Sequence, residues 1–444
     1  LSPAEGGRDA IGRVTEADGV LTGWFQIQTP VARGLARVDL RAGGGGSDEC
    51  VVFFTTMTEI IGHEEPTGAR RPVGHAMHAV ARDALAGVSG AGGDAGAGSP
   101  YVLIIGGSQS GLMLAARLKR LGVPALVVDR HARPGDNWRF RYGTLHLHDP
   151  IWICELPYMP FPEHFPVYLS KDQFADWLDL YAKVMGIDFQ GCAQVQKAAY
   201  DPSSARWSVK VSTGGAVQSL APAHVVFATG NCGSAKVPSL PGEDSFLGTM
   251  AHASQFKGCG ASGDSSWAGR KCVVLGSNTS AHDIAQDLYE NGCHVTMLQR
   301  SPTCVLKTER IRELCAASGY SQESVAGGLS ADRADVIGAS TPWALKTRGL
   351  QGFVEDVREK DAEYYRRLDN VGWKQTWGED NTGPYMMFLR TFRGYYFDIG
   401  ASELLQDGKV SLRSGVSVQE VRERSVVLST GEEVPCDMLV LATG

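Results

Sequence analysis

Two short runs carry the residue types that let a backbone approach a phosphate, Gly106-Gly107-Ser108-Gln109-Ser110-Gly111 and Gly276-Ser277-Asn278-Thr279-Ser280-Ala281. Small residues at the first, third and sixth positions let the chain turn sharply, reach a diphosphate, and bring the next helix close to the preceding strand. The first run keeps this pattern with Ser108 at its middle position. The second ends in Ala281 and departs further at Asn278. The chemistry they point to is dinucleotide binding, in which the cofactor carries the redox step.

The residues downstream of each run distinguish the two. The apolar stretch Ala125 to Val128 ends in Asp129, with Arg130 beside it. This is the position, about 20 residues past the glycines, where a carboxylate accepts ribose hydroxyls and repels a ribose phosphate. FAD or NAD is expected there. After the second run, Val295 to Leu298 leads to Arg300, Ser301 and Thr303. A guanidinium pairs bidentately with a 2'-phosphate and hydroxyls add donors, so NADPH is expected. Chance is the plain alternative in a chain with 54 glycines, but the strand and helix signals around both runs tell against it.

Those signals define the elements that must hold the two sites. Each run lies in a strand, turn, helix, strand unit, at about 101–130 and 271–300. Leu114, Leu118 and Leu121 are expected on the buried face of the first helix, which closes at Gly122. Ile284, Ala285 and Leu288 take that place in the second, which closes at Gly292. At 444 residues the chain exceeds one core, since cores stop growing at roughly 250–300 residues. The net charge of -7 argues against nucleic acid. Apolar runs fall short of the roughly 20 residues a bilayer requires, so a cytoplasmic chain without membrane spans is expected. Ten cysteines are scattered from Cys50 to Cys436 with no C-x-x-C pair, so the dithiol of a thioredoxin-reductase-like enzyme is missing.

The expected fold class is α/β, with two Rossmann-like dinucleotide-binding domains preceded by a small α+β module. Residues 1–86 read as that β-rich module, with the Gly run at 43–46 as a hairpin or loop, and 87–99 as a Gly/Ala/Ser linker. The FAD-binding domain is expected to begin with 100–245. The NADPH-binding domain, with an inserted substrate-cover segment, comes next at 246–400, and 401–444 is expected to return to the FAD domain. Trp373, Trp377, Tyr385, Phe388, Tyr395 and Tyr396 suggest an aromatic-lined cavity, although aromatics more often fill a core.

Between the two runs, Phe246-Leu247-Gly248-Thr249-Met250-Ala251-His252-Ala253-Ser254-Gln255-Phe256 fits F-x-G-x-x-x-H-x-x-x-F. It resembles the fingerprint of flavin-containing and Baeyer–Villiger monooxygenases, and Lys257 after it leans away from the Trp-containing Baeyer–Villiger form. Gly135-Asp136-Asn137-Trp138-Arg139 looks like the family's G-x-x-W-R segment, and Ala228-Thr229-Gly230 and Ala442-Thr443-Gly444 resemble its two A-T-G strands. The stretch from Leu145 to Pro162 is most similar to plant YUCCA-type enzymes and fungal relatives. The likeness covers about 101–444, and the family's sequences continue past the second A-T-G motif.

The resemblance implies FAD and NADPH as cofactors, with a small-molecule substrate and O2 as partners. It implies that NADPH reduces FAD, that O2 forms a C4a-(hydro)peroxyflavin, and that one oxygen atom passes to nitrogen, to sulfur, or to a 2-oxo acid in oxidative decarboxylation. Asn137 and Trp138 fall in its cofactor-binding segments. Asn278 falls near the oxygenated flavin, with a helix N-cap as its plain role. His148 aligns where many animal-type members carry an Asn near the flavin. A His on a strand before a Pro is also commonly a packed residue. His252 is read as domain linkage, with no proton transfer. No metal or Ser/His/Asp triad is called for. An NADPH-dependent flavin reductase or oxidase, or a non-enzymatic nucleotide-binding redox sensor, would share both nucleotide sites. The N-terminal module, with Gly23-Trp24-Phe25 and Arg71-Pro72, resembles a SnoaL-like cone, and a homodimer contact or part of the substrate mouth are its expected roles.

Overall fold

The computed structural model describes residues 14–17, 19–43, 48–73, 99–231, 233–259 and 267–444. The 87–99 linker lies outside the described residues except for Ser99, as do 44–46 of the Gly run. The chain divides into two compact units, one of residues 1–139, 151–230 and 324–340, the other of 140–150, 231–323 and 341–444.

In the first unit, β1 (Val14–Ala17), β2 (Val20–Gln28), β3 (Ala32–Ala42) and β4 (Asp48–Ile60) form an antiparallel meander in sequence order. β3 and β4 pair on either side of residues 43–47, as a hairpin requires. Trp24 is its buried centre, 1% exposed, with the Arg333 guanidinium 3.7 Å above its ring. Arg37 donates to the Ser340 hydroxyl at 2.8 Å, which ties the meander to the helix Ala331–Ser340. That helix groups with the first unit, although it was expected in the substrate cover of the second domain.

The nucleotide-type sheet of this unit contains β5 (Val102–Ile105), β6 (Ala125–Val128), β7 (Phe189–Gln190) and β11 (His224–Phe227), all parallel, in the order β11-β5-β6-β7. The central strands β5 and β6 are apolar on both faces because both are covered. Leu103 and Val128 pack against β8 (Ala193–Asp201), β9 (Arg206–Thr213) and β10 (Ala216–Leu220), a small antiparallel sheet. Val102, Ile104 and Val127 pack against the helix Gln109–Arg120. That helix buries Leu112, Ala115 and Ala116, with Leu114 and Leu118 flanking. Leu121, expected on the buried face, is exposed because the helix has already ended.

The second unit repeats this plan. Here β12 (Thr249–His252), β13 (Lys271–Leu275), β14 (His294–Gln299), β17 (Ser411–Ser414) and β21 (Met438–Leu441) make a parallel sheet in the order β12-β21-β13-β14-β17. The antiparallel β18 (Val418–Arg422), β19 (Ser425–Leu428) and β20 (Glu433–Pro435) cover one face, and the helix Thr279–Glu290 covers the other with Ile284, Ala285 and Leu288 buried. β21 stands beside β13 as β11 stands beside β5. The return of 401–444 to the first domain is therefore corrected. This segment supplies the fourth and fifth parallel strands of the second sheet, because each turn needs its own A-T-G strand next to it. Residues 140–150 and 231–245, expected with the first domain, also group with the second.

In place of one continuous substrate cover, the second unit has the helices Thr308–Ala317, Trp343–Lys360, Ala362–Asn370 and Pro384–Thr391 around β15 (Cys304–Lys307) and β16 (Tyr395–Asp398), a parallel pair. Among the described residues no helix is long and apolar enough to cross a membrane.

Candidate functional site

Both Gly-rich turns are built the same way. Gly106 has φ +114°, and a Cβ there would stand 2.3 Å from the Ala228 carbonyl oxygen. Gly276 has φ +132°, and a Cβ there would stand 2.4 Å from the Ala442 carbonyl oxygen. Only glycine takes such a backbone against another chain segment. The A-T-G segments have their place here, since the Ala228 amide donates to the Ile105 carbonyl and the Ala442 amide to the Leu275 carbonyl. At Gly111 a Cβ would meet the Gly106 carbonyl oxygen at 1.9 Å, so this glycine sets how close the helix lies to the strand.

Ser108 and Asn278 occupy the N-cap positions of the two helices, yet neither side chain makes a capping bond. The plain capping role for Asn278 is thus set aside. A helix start without a side-chain cap leaves first-turn N–H groups available to a phosphate. This donor set and the glycine cradles fit a dinucleotide diphosphate at each turn. Ser110, Thr279 and Ser280 lie in these first turns.

At the first turn the Asp129 carboxylate accepts from the Gly107 amide at 2.6 Å and from the His131 amide at 2.8 Å. The two oxygens are aimed by backbone at the end of β6; Oδ1 also faces the His131 ring nitrogen at 3.1 Å, and Oδ2 keeps a lone pair for a ribose hydroxyl. Arg130 and Asn137 are exposed nearby in sequence. The Trp138 indole donates to the Gln109 side chain at 3.2 Å and meets Phe174 edge-on at 5.4 Å. Trp138 therefore braces the turn with its N–H already engaged. Gly135, at φ +81°, lets this segment lie against Ala175, and buried Asp136 takes Arg139 at 2.8 Å.

At the second turn Arg300 and Ser301 are exposed past the end of β14. Thr303 is 1% exposed and its hydroxyl meets that of Ser277 at 2.8 Å. It is corrected from a phosphate donor to a brace under Gly276-Ser277, because the chain folds inward at Pro302. Gln299, wholly buried, holds Lys374 through both its amide atoms, at 3.0 and 2.9 Å.

His252 ends β12 beside β21, paired with Leu441. Its Nδ1 accepts the Ser254 amide at 3.1 Å, and burial lowers its pKa against the opposing Gly444 carbonyl. These contacts tie the fingerprint to the second A-T-G strand. His148 does not sit on a strand. It lies in a bend, edge-on to Tyr395 at 5.7 Å and Phe397 at 5.2 Å. The expected aromatic cavity divides. Trp373 and Tyr396 are core, whereas Tyr385, Phe388 and Phe392 are exposed, and Phe388 continues the His148, Tyr395 and Phe397 group.

Residues that spacing did not single out sit under the second turn. His282, 0% exposed, stacks on Tyr396 at 3.9 Å, and its Nδ1 donates to the Asn278 carbonyl at 3.1 Å. Burial brings its pKa down to about 4, so it is neutral. Asp283 accepts the Tyr142 hydroxyl at 2.7 Å. The available signal is His282 and Asp283, with Asp287 a turn later, set among Ala281, Ile284, Ala285 and Leu288 on the buried face.

Residues 103–312 match the family model described as pyridine nucleotide-disulphide oxidoreductase. The chain is 32% identical over 346 residues to indole-3-pyruvate monooxygenase YUCCA1 of Oryza sativa subsp. japonica, covering 78% of this chain and 76% of that one. Among solved structures, a flavin-containing monooxygenase from Stenotrophomonas maltophilia aligns with TM-score 0.52 at 17% identity, covering 78% of each chain. A polycyclic ketone monooxygenase from Thermothelomyces thermophila aligns with TM-score 0.57 at 19% identity, over 81% of this chain and 65% of that one. The structural likenesses establish a shared fold. With two uncapped dinucleotide turns, an F-x-G-x-x-x-H-x-x-x-F segment locked to the second, and this degree of identity to a YUCCA enzyme, the chain belongs to the flavin-containing monooxygenase family.

Proposed function

We propose that this flavin- and NADPH-dependent monooxygenase acts on a 2-oxo acid with an aromatic side chain, releasing CO2. The observation that carries the choice is the half-exposed aromatic group of His148, Phe388, Tyr395 and Phe397, which offers ring edges and faces to an aromatic substrate. The rice relative's name, indole-3-pyruvate monooxygenase, supports it. Bound FAD, once reduced by NADPH, supplies the activation of O2. Asp129 holds the flavin's ribose end, Arg300 and Ser301 select the 2'-phosphate, and the Asn278 side chain, free of capping duty, is left to the dinucleotide bound at its own turn.

The balance is one 2-oxo acid, O2, NADPH and a proton going to the one-carbon-shorter acid, CO2, NADP+ and water. We read the N-terminal meander as the sheet of a SnoaL-like cone, in keeping with its long strands and two register shifts. The test is turnover of indole-3-pyruvate by the FAD-loaded protein under 18O2. One labelled oxygen in the shortened acid, with one NADPH consumed per CO2, is expected. Labelled oxygen in an amine or sulfide substrate but none in the acid would move the substrate class. NADPH consumption yielding only hydrogen peroxide would make the protein an oxidase.

A further inference from the structure

The loop at 140–142 brings two side chains onto the first turn of the Thr279–Glu290 helix. Tyr142, 1% exposed, donates to Asp283 Oδ2 at 2.7 Å, and the same hydroxyl lies 3.5 Å from Ser280 Oγ. Arg141 reaches Ser280 Oγ at 3.5 Å, and its buried Nε has no hydrogen-bond partner among the described residues. Asp283 is 9% exposed, and burial pushes its carboxyl up to about 6, against the Tyr142 hydrogen bond and the charges of His146 and Arg141. Tyr396 on β16 also feels Asp283, with Asp398 beyond it. On the helix itself the next acid is Asp287. Lys271 and His294 stand exposed side by side at the N-terminal ends of β13 and β14, away from the turn, and Glu403 of the helix Ala401–Gln406 is exposed.

We propose that Tyr142 and Asp283 form a proton-linked positioning pair for the NADPH diphosphate: Asp283 takes up a proton as the dinucleotide binds, and Tyr142 then turns its hydrogen to Ser280. The pair rests on the assignment of this helix start to NADPH. A diphosphate placed there brings negative charge toward a carboxylate one helical turn away, and like charges favour its protonated form. The protonated Asp283 donates to the Tyr142 oxygen, Tyr142 donates to Ser280 Oγ, and the Ser280 hydroxyl is left to donate to a phosphate oxygen. One solvent proton is gained and no other bond changes. With Asp283 ionised, Tyr142 stays committed to the carboxylate, and the diphosphate meets an unneutralised acid.

The test is calorimetric titration of NADP+ into the FAD-loaded full chain, in buffers of differing ionisation enthalpy near neutral pH, for the native protein, D283N and Y142F. Proton uptake by the native protein should exceed that of D283N by up to one proton. The ligand's own 2'-phosphate titrates equally in both and cancels. Above pH 6 native affinity should fall relative to D283N by up to about tenfold per pH unit. Y142F, which removes the hydrogen bond that holds the Asp283 carboxyl down, should take up less proton than the native protein near neutral pH and bind about tenfold more weakly. Equal uptake by the native protein and D283N overturns the pair. If D283N does not retain FAD, unchanged affinity in Y142F overturns it. Failure of every FAD-loaded form, native included, to bind NADP+ would overturn the site assignment itself.

Discussion

A methyl group on residue 111 would stand 1.9 Å from the Gly106 carbonyl oxygen, far inside van der Waals contact. Neither partner can yield, since one is a helix start and the other the turn it caps. Gly111→Ala should therefore purify with less than a tenth of the native flavin content, read from the ratio of flavin to protein absorbance. The role proposed for Arg300 rests on charge and needs no such fit. Arg300→Asp should raise the KM for NADPH by about 10- to 100-fold, the range of a lost charge-assisted hydrogen bond. It should leave kcat within about twofold and change NADH kinetics little, and steady-state kinetics with both dinucleotides decides it. A fall in kcat with unchanged KM would remove Arg300 from the 2'-phosphate. Glycines of this kind are legible in sequence because backbone sterics at a close approach allow few residue types. Tyr142 and Asp283 were not legible, because their partnership joins residues 141 positions apart.

At the scale of the element, the second turn is held from below by side chains that look as though they should face a ligand. Thr303→Val leaves the Ser277 hydroxyl buried without its 2.8 Å partner. The loss should be about 1–3 kcal/mol of stability, the cost of a stranded polar group, measured by denaturant unfolding of the FAD-loaded protein. NADPH affinity per folded molecule should change far less than in Arg300→Asp. Hydroxyl type and spacing suggested a phosphate donor at Thr303, and only the inward course of the chain after Pro302 distinguishes a brace from a ligand. The helices themselves read well because period and caps are local. Leu121 was misplaced by a single residue's overrun past the helix end.

Across the whole molecule the two halves share one plan: a parallel sheet, a three-stranded antiparallel sheet on one face, a helix on the other, and an A-T-G strand beside each Gly-rich turn. Each ligand stabilises what it binds, by about 2.7 kcal/mol at a hundredfold excess over Kd. Hydrogen exchange should accordingly show NADP+ protecting 275–282 with little effect at 105–112, and FAD protecting 105–112. Protection of both turns by NADP+ alone would contradict the separate assignments. The repeat was half visible in the sequence. Its opening strand, turn and helix are contiguous, but the strand that completes each sheet comes from far downstream and carries no local mark of its destination. That wiring also sets an order of synthesis. The first sheet has all its strands once Phe227 has been made. β13, by contrast, waits for Met438–Leu441 before it has a neighbour on that side, and β12 touches the sheet only through β21. While the intervening helices are being translated, the nascent second half presents an open apolar strand edge, the kind of surface that invites mispairing. The yield of folded enzyme should therefore be more sensitive to translation rate and chaperone supply between residues 276 and 441 than before residue 227.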